Sequence, residues 1–351
     1  MSLVKTSHVR FGAFCFISNY KDIYFSFLYS IFVALNLKIK INMGNAINEV
    51  SGKDKMKGHF ALLFANVAWG LMAPISKGLL NLGVISPLAL SGVRIMGGAL
   101  LFWLVSALVP NNIIEKETIE KGDFLKIFFA GLLVIAANQI LVVQGMSYTG
   151  PVDAAVVCST TPIFTLILAT LILKERLTMF RMGGVALGFA AVLVFSLWGE
   201  PNVAMNVPNP VLGNAMCIVA QMCGATYLVV FGKLINKYSP FTMMKWMMLM
   251  SAVVIMPFTI GEIVQIDWVA FPLEGVLELA YIVVLGSCLC YLMIPFAQRR
   301  LKPTVIAMYN YLQPVVATLV SVLIGMVVLD VVKVGSALLI FLAVWMVSKG
   351  R

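Results

Sequence analysis

The sequence predicts an all-α integral membrane protein with ten transmembrane helices arranged as two inverted five-helix repeats. Three observations lead there. Mean hydropathy is +0.98, and of 351 residues 61% are apolar and only 11% charged, whereas a soluble globular chain carries about 25% charged residues. Apolar runs long enough to cross about 30 Å of hydrocarbon recur along most of the chain. Prolines and Ser-Pro pairs recur at nearly constant spacing between its two halves.

Residues 1–56 stand apart as an N-terminal extension. Tyr24 to Leu37 is apolar but shorter than the roughly 20 residues a helical span requires. Lys38 and Lys40 follow it, and Met43 and Met56 offer later translation starts. The extension reads as disordered or as an overextended gene start, with an interfacial helix and an extra span as alternatives. No small-residue cleavage site marks a removable signal.

Apolar runs then begin near His59, Pro87, Phe124, Val152, Met182, Val211, Pro240, Leu277, Thr304 and Val331. Helices satisfy their own backbone polar groups, which an open strand in lipid cannot do. The runs are also too continuous for the alternating pattern of a membrane barrel. Lysines and arginines gather in every second connection: Lys53, Lys55 and Lys57; Lys116 and Lys121; Lys174, Arg176 and Arg181; Lys233 and Lys237; Arg299, Arg300 and Lys302; Lys349 and Arg351. The other connections hold few, Lys333 being the main exception. The positive-inside rule therefore predicts a multi-pass protein with both termini cytoplasmic, and the expected membrane is a bacterial-type cytoplasmic (inner) one.

The halves match. Ser86-Pro87 recurs as Ser239-Pro240, Pro151 as Pro303, and Pro162 as Pro314, while Lys77 and Lys233 end the first and sixth runs. Five helices per half is an odd number, so the second half enters the membrane from the opposite side. The expected repeats are residues 57–200 and 207–348. Such a pair suits a site near the midplane that opens to either face in turn.

Several function classes fall away. The net charge of +10 belongs to the cytoplasmic loops, and no basic and aromatic module points to nucleic acid. No CxxC, HExxH or Gly-rich phosphate loop is present, so neither enzymatic chemistry, a metal nor a cofactor is expected. Cys15, Cys158, Cys217, Cys223, Cys288 and Cys290 lie mostly in apolar stretches and read as small packing residues, and His8 and His59 are too few for imidazole chemistry.

Four stretches then carry a resemblance: NVAWGLMAPISK in the first run, SPLALSGVR in the second, ILKERLT ending the fourth and YNYLQPVVATLVSVLIG in the ninth. In order and spacing the chain resembles the EamA-type proteins of the drug/metabolite transporter superfamily over about residues 57–348. The resemblance implies secondary transport by alternating access, with export of small metabolites, amino acids or drug-like compounds. Related branches move nucleotide sugars or phosphorylated sugars, so exchange of such conjugates is an alternative, as is a structural or signalling membrane protein. The family's acidic residue after the fourth helix matches Glu175; its second-half position holds Val327, followed by Leu329 and Asp330, a departure from the pattern.

Polar residues within apolar runs are costly and mark candidate pathway positions. Those expected to line a substrate pathway are Trp69, Arg94, Gln139, Thr161, Tyr227, Tyr291, Asn310 and Gln313. Arg94 could hold a carboxylate through paired hydrogen bonds, or tie helices together through carbonyls or Glu175. Trp69 serves as a cavity wall or an interhelical anchor. Pro162 and Pro314 are expected to kink their helices, leaving carbonyls near Cys158 and Ser159 for the hydroxyls of Ser159, Thr160 and Thr161 or for a ligand. Lys77 reads as a cation that snorkels to the external interface, or that attracts a substrate carboxylate or pairs within the bundle; Lys245 raises the same question, its place near a cytoplasmic boundary favouring snorkelling. Asp153, Glu274 and Glu278 lie near predicted external ends, where solvation is their default reading. Aromatic faces and amides with few charges suit a small amphipathic or zwitterionic metabolite, and proton coupling is one way to drive its movement.

Overall fold

Connections rich in serine, proline and asparagine set where the helices begin. In α2, Pro87–Leu108, Ser86 caps the first turn by accepting from the Ala89 N–H at 3.1 Å. In α7, Pro240–Ile263, Ser239 caps in the same way from Thr242 at 3.2 Å. A proline in the first turn has no N–H to leave unsatisfied, so the Ser-Pro pair both stops the preceding connection and starts a helix.

The computed structural model describes residues 52–111, 114, 117–149, 157–197, 209–323 and 331–349. All of residues 1–51 lie outside that set, as do Lys116, Pro151, Asp153, Val327, Asp330 and the side chains of Lys77 and Lys333. The remaining elements are α1 (Gly52–Asn81), α3 (Lys121–Gly131, a π-helical segment Leu132–Ala137, then Asn138–Thr149), α4 (Thr161–Leu173), α5 (Met179–Leu197) and α6 (Pro210–Val230). A short helix, Gly232–Lys237, leads into α7. Then follow α8 (Leu273–Tyr281, a π segment Ile282–Leu289, Cys290–Gln298), α9 (Pro303–Met308, a 3-10 turn Tyr309–Tyr311, Leu312–Leu323) and α10 (Val331–Lys349).

The chain is thus an all-α, multi-span membrane protein. Among the described residues, six helical stretches are long and apolar enough to cross a bilayer: Lys53–Leu80, Pro87–Leu108, Lys121–Gly145, Val211–Val230, Pro240–Ile263 and Leu273–Gln298. Thr161–Leu173, Met179–Val194 and Val334–Lys349 are apolar but shorter. The fourth run is cut by a turn at Ser159 and Thr160, and the ninth by the 3-10 turn.

Helices pack mainly with helices of the other half of the chain. α2 lies along α7, α5 along α10, α3 and α4 against α6, and α8 and α9 against α1. Small residues let the backbones approach. A Cβ on Gly188 would stand 2.4 Å from the Tyr311 ring, and one on Gly92 2.5 Å from the Thr259 hydroxyl.

Candidate functional site

The π segment of α8 organises a polar group in the middle of the bundle. A π turn inserts one residue into the helical ladder, which displaces carbonyls from their usual partners and is common at functional sites. The Gly286 carbonyl accepts from the Trp69 indole N–H at 2.9 Å. Ser287, the next residue, accepts from Arg94 Nε at 3.0 Å. Gly97 and Gly98 on α2 make room, since a Cβ there would meet Val283 at 2.8 Å and Ser287 at 3.3 Å.

Arg94 extends from α2 into this group. Its Nη1 donates to Gln139 Oε1 at 3.4 Å, and its guanidinium carbon lies 5.9 Å from the centre of the Tyr291 ring. The Gln139 amide donates in turn to Ser91 Oγ at 3.4 Å. Trp69 and Tyr291 meet edge to face with ring centres 5.4 Å apart. None of the ion pairs among the described residues includes Arg94. Its charge is met by neutral dipoles and an aromatic face, so an oxyanion would find an uncompensated cation.

Asn66, one turn before Trp69 on α1, links this group to α9. Its Oδ1 accepts from Gln313 Nε2 at 2.9 Å while its own amide donates to the Leu62 carbonyl at 2.8 Å. Gln313 Nε2 also stands 3.5 Å from Asn310 Oδ1. Six of the eight pathway residues expected from sequence therefore fall into two neighbouring groups, Trp69, Arg94, Gln139 and Tyr291 in one and Asn310 and Gln313 in the other. Thr161 sits elsewhere, donating to Gln221 Oε1 at 2.6 Å between α4 and α6. Tyr227 shares the buried apolar cluster with Tyr291, and its buried hydroxyl has no hydrogen-bond partner among the described residues.

The prolines differ from their simplest reading. Pro162 opens the described part of α4 instead of bending its middle, behind the turn in which Thr160 and Thr161 donate to the Val157 and Cys158 carbonyls at 2.6 and 3.1 Å. Pro314 follows the 3-10 turn of α9. Pro74, Pro257 and Pro295 lie inside helices, and nothing in the sequence singled them out. Ser91 and Ser287 were not singled out either. The signal was their spacing, Ser91 three residues before Arg94 and Ser287 four before Tyr291, each on its neighbour's face.

Three charged residues depart from expectation. Glu175 does not pair with Arg94. Lys174 ends α4 in the left-handed region with φ 53°, turning Glu175 inward, where Oε2 accepts from Arg181 Nη1 at 2.9 Å and lies 3.5 Å from Thr304 Oγ1. Lys245 does not snorkel: it is buried, with Nζ 4.8 Å from the Trp103 ring centre, 5.6 Å from that of Trp246 and 3.3 Å from Ser106 Oγ. Glu278 is only half-exposed, with Oε2 buried and unpartnered.

At the end where Gly232–Lys237 and the start of α3 meet, an ion network closes the bundle. Lys237 reaches Asp123 and Glu120, both at 2.6 Å, and Tyr238 Oη donates to Asp123 at 2.9 Å. Hydrogen bonds from Lys237 to Asp123 and then Glu120 hold the Lys237 ammonium above the ordinary lysine range. Arg299 adds bonds to the Ile235 and Tyr238 carbonyls at 3.0 and 2.6 Å.

Helices crossing the bilayer around amides, aromatic faces and an arginine with no ion pair among the described residues define a multi-pass membrane protein with polar groups between its helices. The chain belongs to the EamA-like transporter family, which matches residues 56–197 and again 211–349. It is 29% identical to an uncharacterized transporter of Archaeoglobus fulgidus over 58% of this chain and 67% of that one. It is 26% identical to the uncharacterized inner membrane transporter YedA of Escherichia coli K12, covering 83% of this chain and 91% of that protein. Its fold resembles a solved crystal structure with a TM-score of 0.68 at 14% identity, over 84% of this chain and 96% of the other. The chain is accordingly a transporter and not an enzyme.

Proposed function

We propose that this transporter exports small amphipathic or zwitterionic metabolites, amino acids among them, by alternating access of two inverted five-helix repeats, residues 57–200 and 207–348. The membrane would be a bacterial-type cytoplasmic one with both termini inside. Support for the repeats comes from the packing: exchanging α1–α5 for α6–α10 carries α3 on α6 into α8 on α1, carries α4 on α6 into α9 on α1, and returns α2 on α7 and α5 on α10 to themselves. The π segments fall in the third helix of each half and the Ser-Pro caps in the second.

The observation that carries the substrate reading is Arg94, a cation within the span that lacks a carboxylate partner among the described residues. A substrate carboxylate would replace Ser287 and Gln139 on the guanidinium, while Trp69 and Tyr291 face its apolar part and the Gln313 and Asn310 amides its other polar groups. Because Arg94 stands on α2 and Ser287 and Tyr291 on α8, ligand binding would span the two repeats, as rocking around a midplane site requires. An inward proton gradient would drive export by exchange.

The test is counterflow in liposomes across a panel of amino and carboxylic acids and their neutral amides, at several imposed pH gradients. Carboxylates should move and their amides should not. Equal flux of both, or none from folded and inserted protein, would defeat the reading.

A further inference from the structure

A second polar group, distinct from the Arg94 group, joins α4 to α6 and contains two thiols. Cys158 lies immediately before the turn at Ser159 and Thr160 that breaks the fourth apolar run, and Cys217 lies on α6. Cys217 and Gln221 stand four residues apart on one face of α6, the face that meets Cys158, and the two thiols interact side chain to side chain. Gln221, one turn beyond Cys217, donates to Cys158 Sγ at 3.2 Å and accepts from Thr161 at 2.6 Å. The Cys217 sulfur would also stand 2.5 Å from a Cβ on Gly145, so α3 packs closely over it. Cys158 is partly exposed, whereas Cys217 is fully buried.

We propose that Cys158 and Cys217 form a dithiol site that a small disulfide oxidises to an intramolecular disulfide, pinning the broken start of α4 to α6. The site rests on this geometry and not on the identity of the transported solute. The unequal exposure sets the order of events. The Cys158 sulfur attacks the reagent disulfide and releases one reagent thiol, leaving a mixed disulfide. The Cys217 sulfur then attacks Cys158 and releases the second thiol. Two electrons and two protons pass from the cysteine pair to the reagent, whose S–S bond becomes two S–H groups.

Forming the bond brings the two sulfurs to the disulfide distance of about 2 Å, so the two segments must draw together. The backbone at Ser159 and Thr160 is the place to absorb that movement, since it lies in a turn and outside the helical ladder. α4 belongs to the first half and α6 to the second, so the bond would also cross-link the two halves.

The experiment treats the purified full chain in nanodiscs with dithiodipyridine. The expected result is a peptide linked through Cys158 and Cys217, release of two reagent thiols for each link, and restoration of both free thiols by dithiothreitol. Cys158→Ser should abolish the link, and Cys223, a half-buried thiol on the same helix, should remain alkylatable. Hydrogen exchange over residues 157–165 should slow about tenfold or more on oxidation, as expected when a local opening is suppressed. A stable adduct on Cys158 without linkage, a link to Cys223, or unchanged exchange after linkage would each overturn the proposal. All three are read by mass without solute flux, so failure of the transport reading would leave this result standing.

Discussion

Arg181 is buried and Arg94 only partly so, and the protein treats the two arginines in opposite ways. Arg181 is 2% exposed and sits on Glu175, itself 9% exposed, with the Arg176 carbonyl at 3.1 Å completing the arrangement. Arg94 has a hydroxyl, an amide oxygen and a tyrosine face. The first site is electrically closed and joins the end of α4 to the starts of α5 and α9. The second remains a net cation. A charge held only by dipoles is costly where water is scarce, and that cost is why the proposed substrate carboxylate is assigned to Arg94.

The largest expected effect breaks the closed site. Arg181→Met leaves Glu175 as an uncompensated buried carboxylate and should cost about 3–5 kcal/mol, whereas Arg181→Met with Glu175→Leu should recover most of that loss. Thermal unfolding in a fixed detergent measures both. Equal destabilisation by the single and double variants would show that packing, and not charge, holds this junction.

Arg94→Met is the matching change at the open site. No carboxylate is stranded there, and the acceptors left behind, Ser287 and Gln139, are neutral, so the protein should fold and insert. Carboxylate counterflow should fall by about ten- to a hundredfold, the worth of about 1.5–3 kcal/mol for charged hydrogen bonds. Arg94→Lys should recover little, because a point charge cannot make the paired bonds of the planar fork. A large loss of stability with flux preserved in the surviving protein would reverse the contrast and make Arg94 a helix tie.

What could be read from the sequence follows the physics of each feature. Ser-Pro starts were legible because a capping hydroxyl and a proline act on adjacent residues, and both pairs stand where α2 and α7 begin. Arg94, Gln139, Trp69 and Tyr291 were legible because polar atoms in apolar runs demand partners. The π segments were not: LLVIAA and IVVLGSCL carry no proline and look like ordinary apolar helix. Their register is set by Trp69 and Arg94, which lie 217 and 193 residues away in sequence from their partners. Glu175 found Arg181 for a similar reason, since only the left-handed residue Lys174 turns the chain back within reach. Lys245 was misread because position near a helix start suggested an escape to water, while Trp103 and Trp246 hold it inside.

A smaller change tests whether the open site depends on its π segment. Trp69→Phe keeps the edge contact with Tyr291 but leaves the Gly286 carbonyl without its indole donor, a loss of about 1 kcal/mol. The expected sign is faster hydrogen exchange through residues 282–291 with little change at α5 and α10. Unchanged exchange there would mean that the π segment holds without Trp69.

The smallest effect lies at the ion network, and its pH dependence has a definite sign. Lys237 is held above the ordinary lysine value of 10.5 by Asp123 and then Glu120. A cation whose pKa is higher in the folded than in the unfolded chain contributes fully below the unfolded value and loses that contribution as pH rises through the folded one. Thermal stability from this network should therefore be flat near neutrality and decline only in the strongly alkaline range, and Lys237→Met should remove that decline. The pair to Glu120 is largely exposed, at 41% and 70% for the two side chains, so water and salt screen it. Raising ionic strength at neutral pH should narrow the difference between Lys237→Met and the parent while leaving the Arg181 difference in place, because the Arg181 pair is shielded from solvent ions. If salt reduced both differences alike, the Glu175–Arg181 pair would be solvated, and the contrast between a closed and an open arginine would fail.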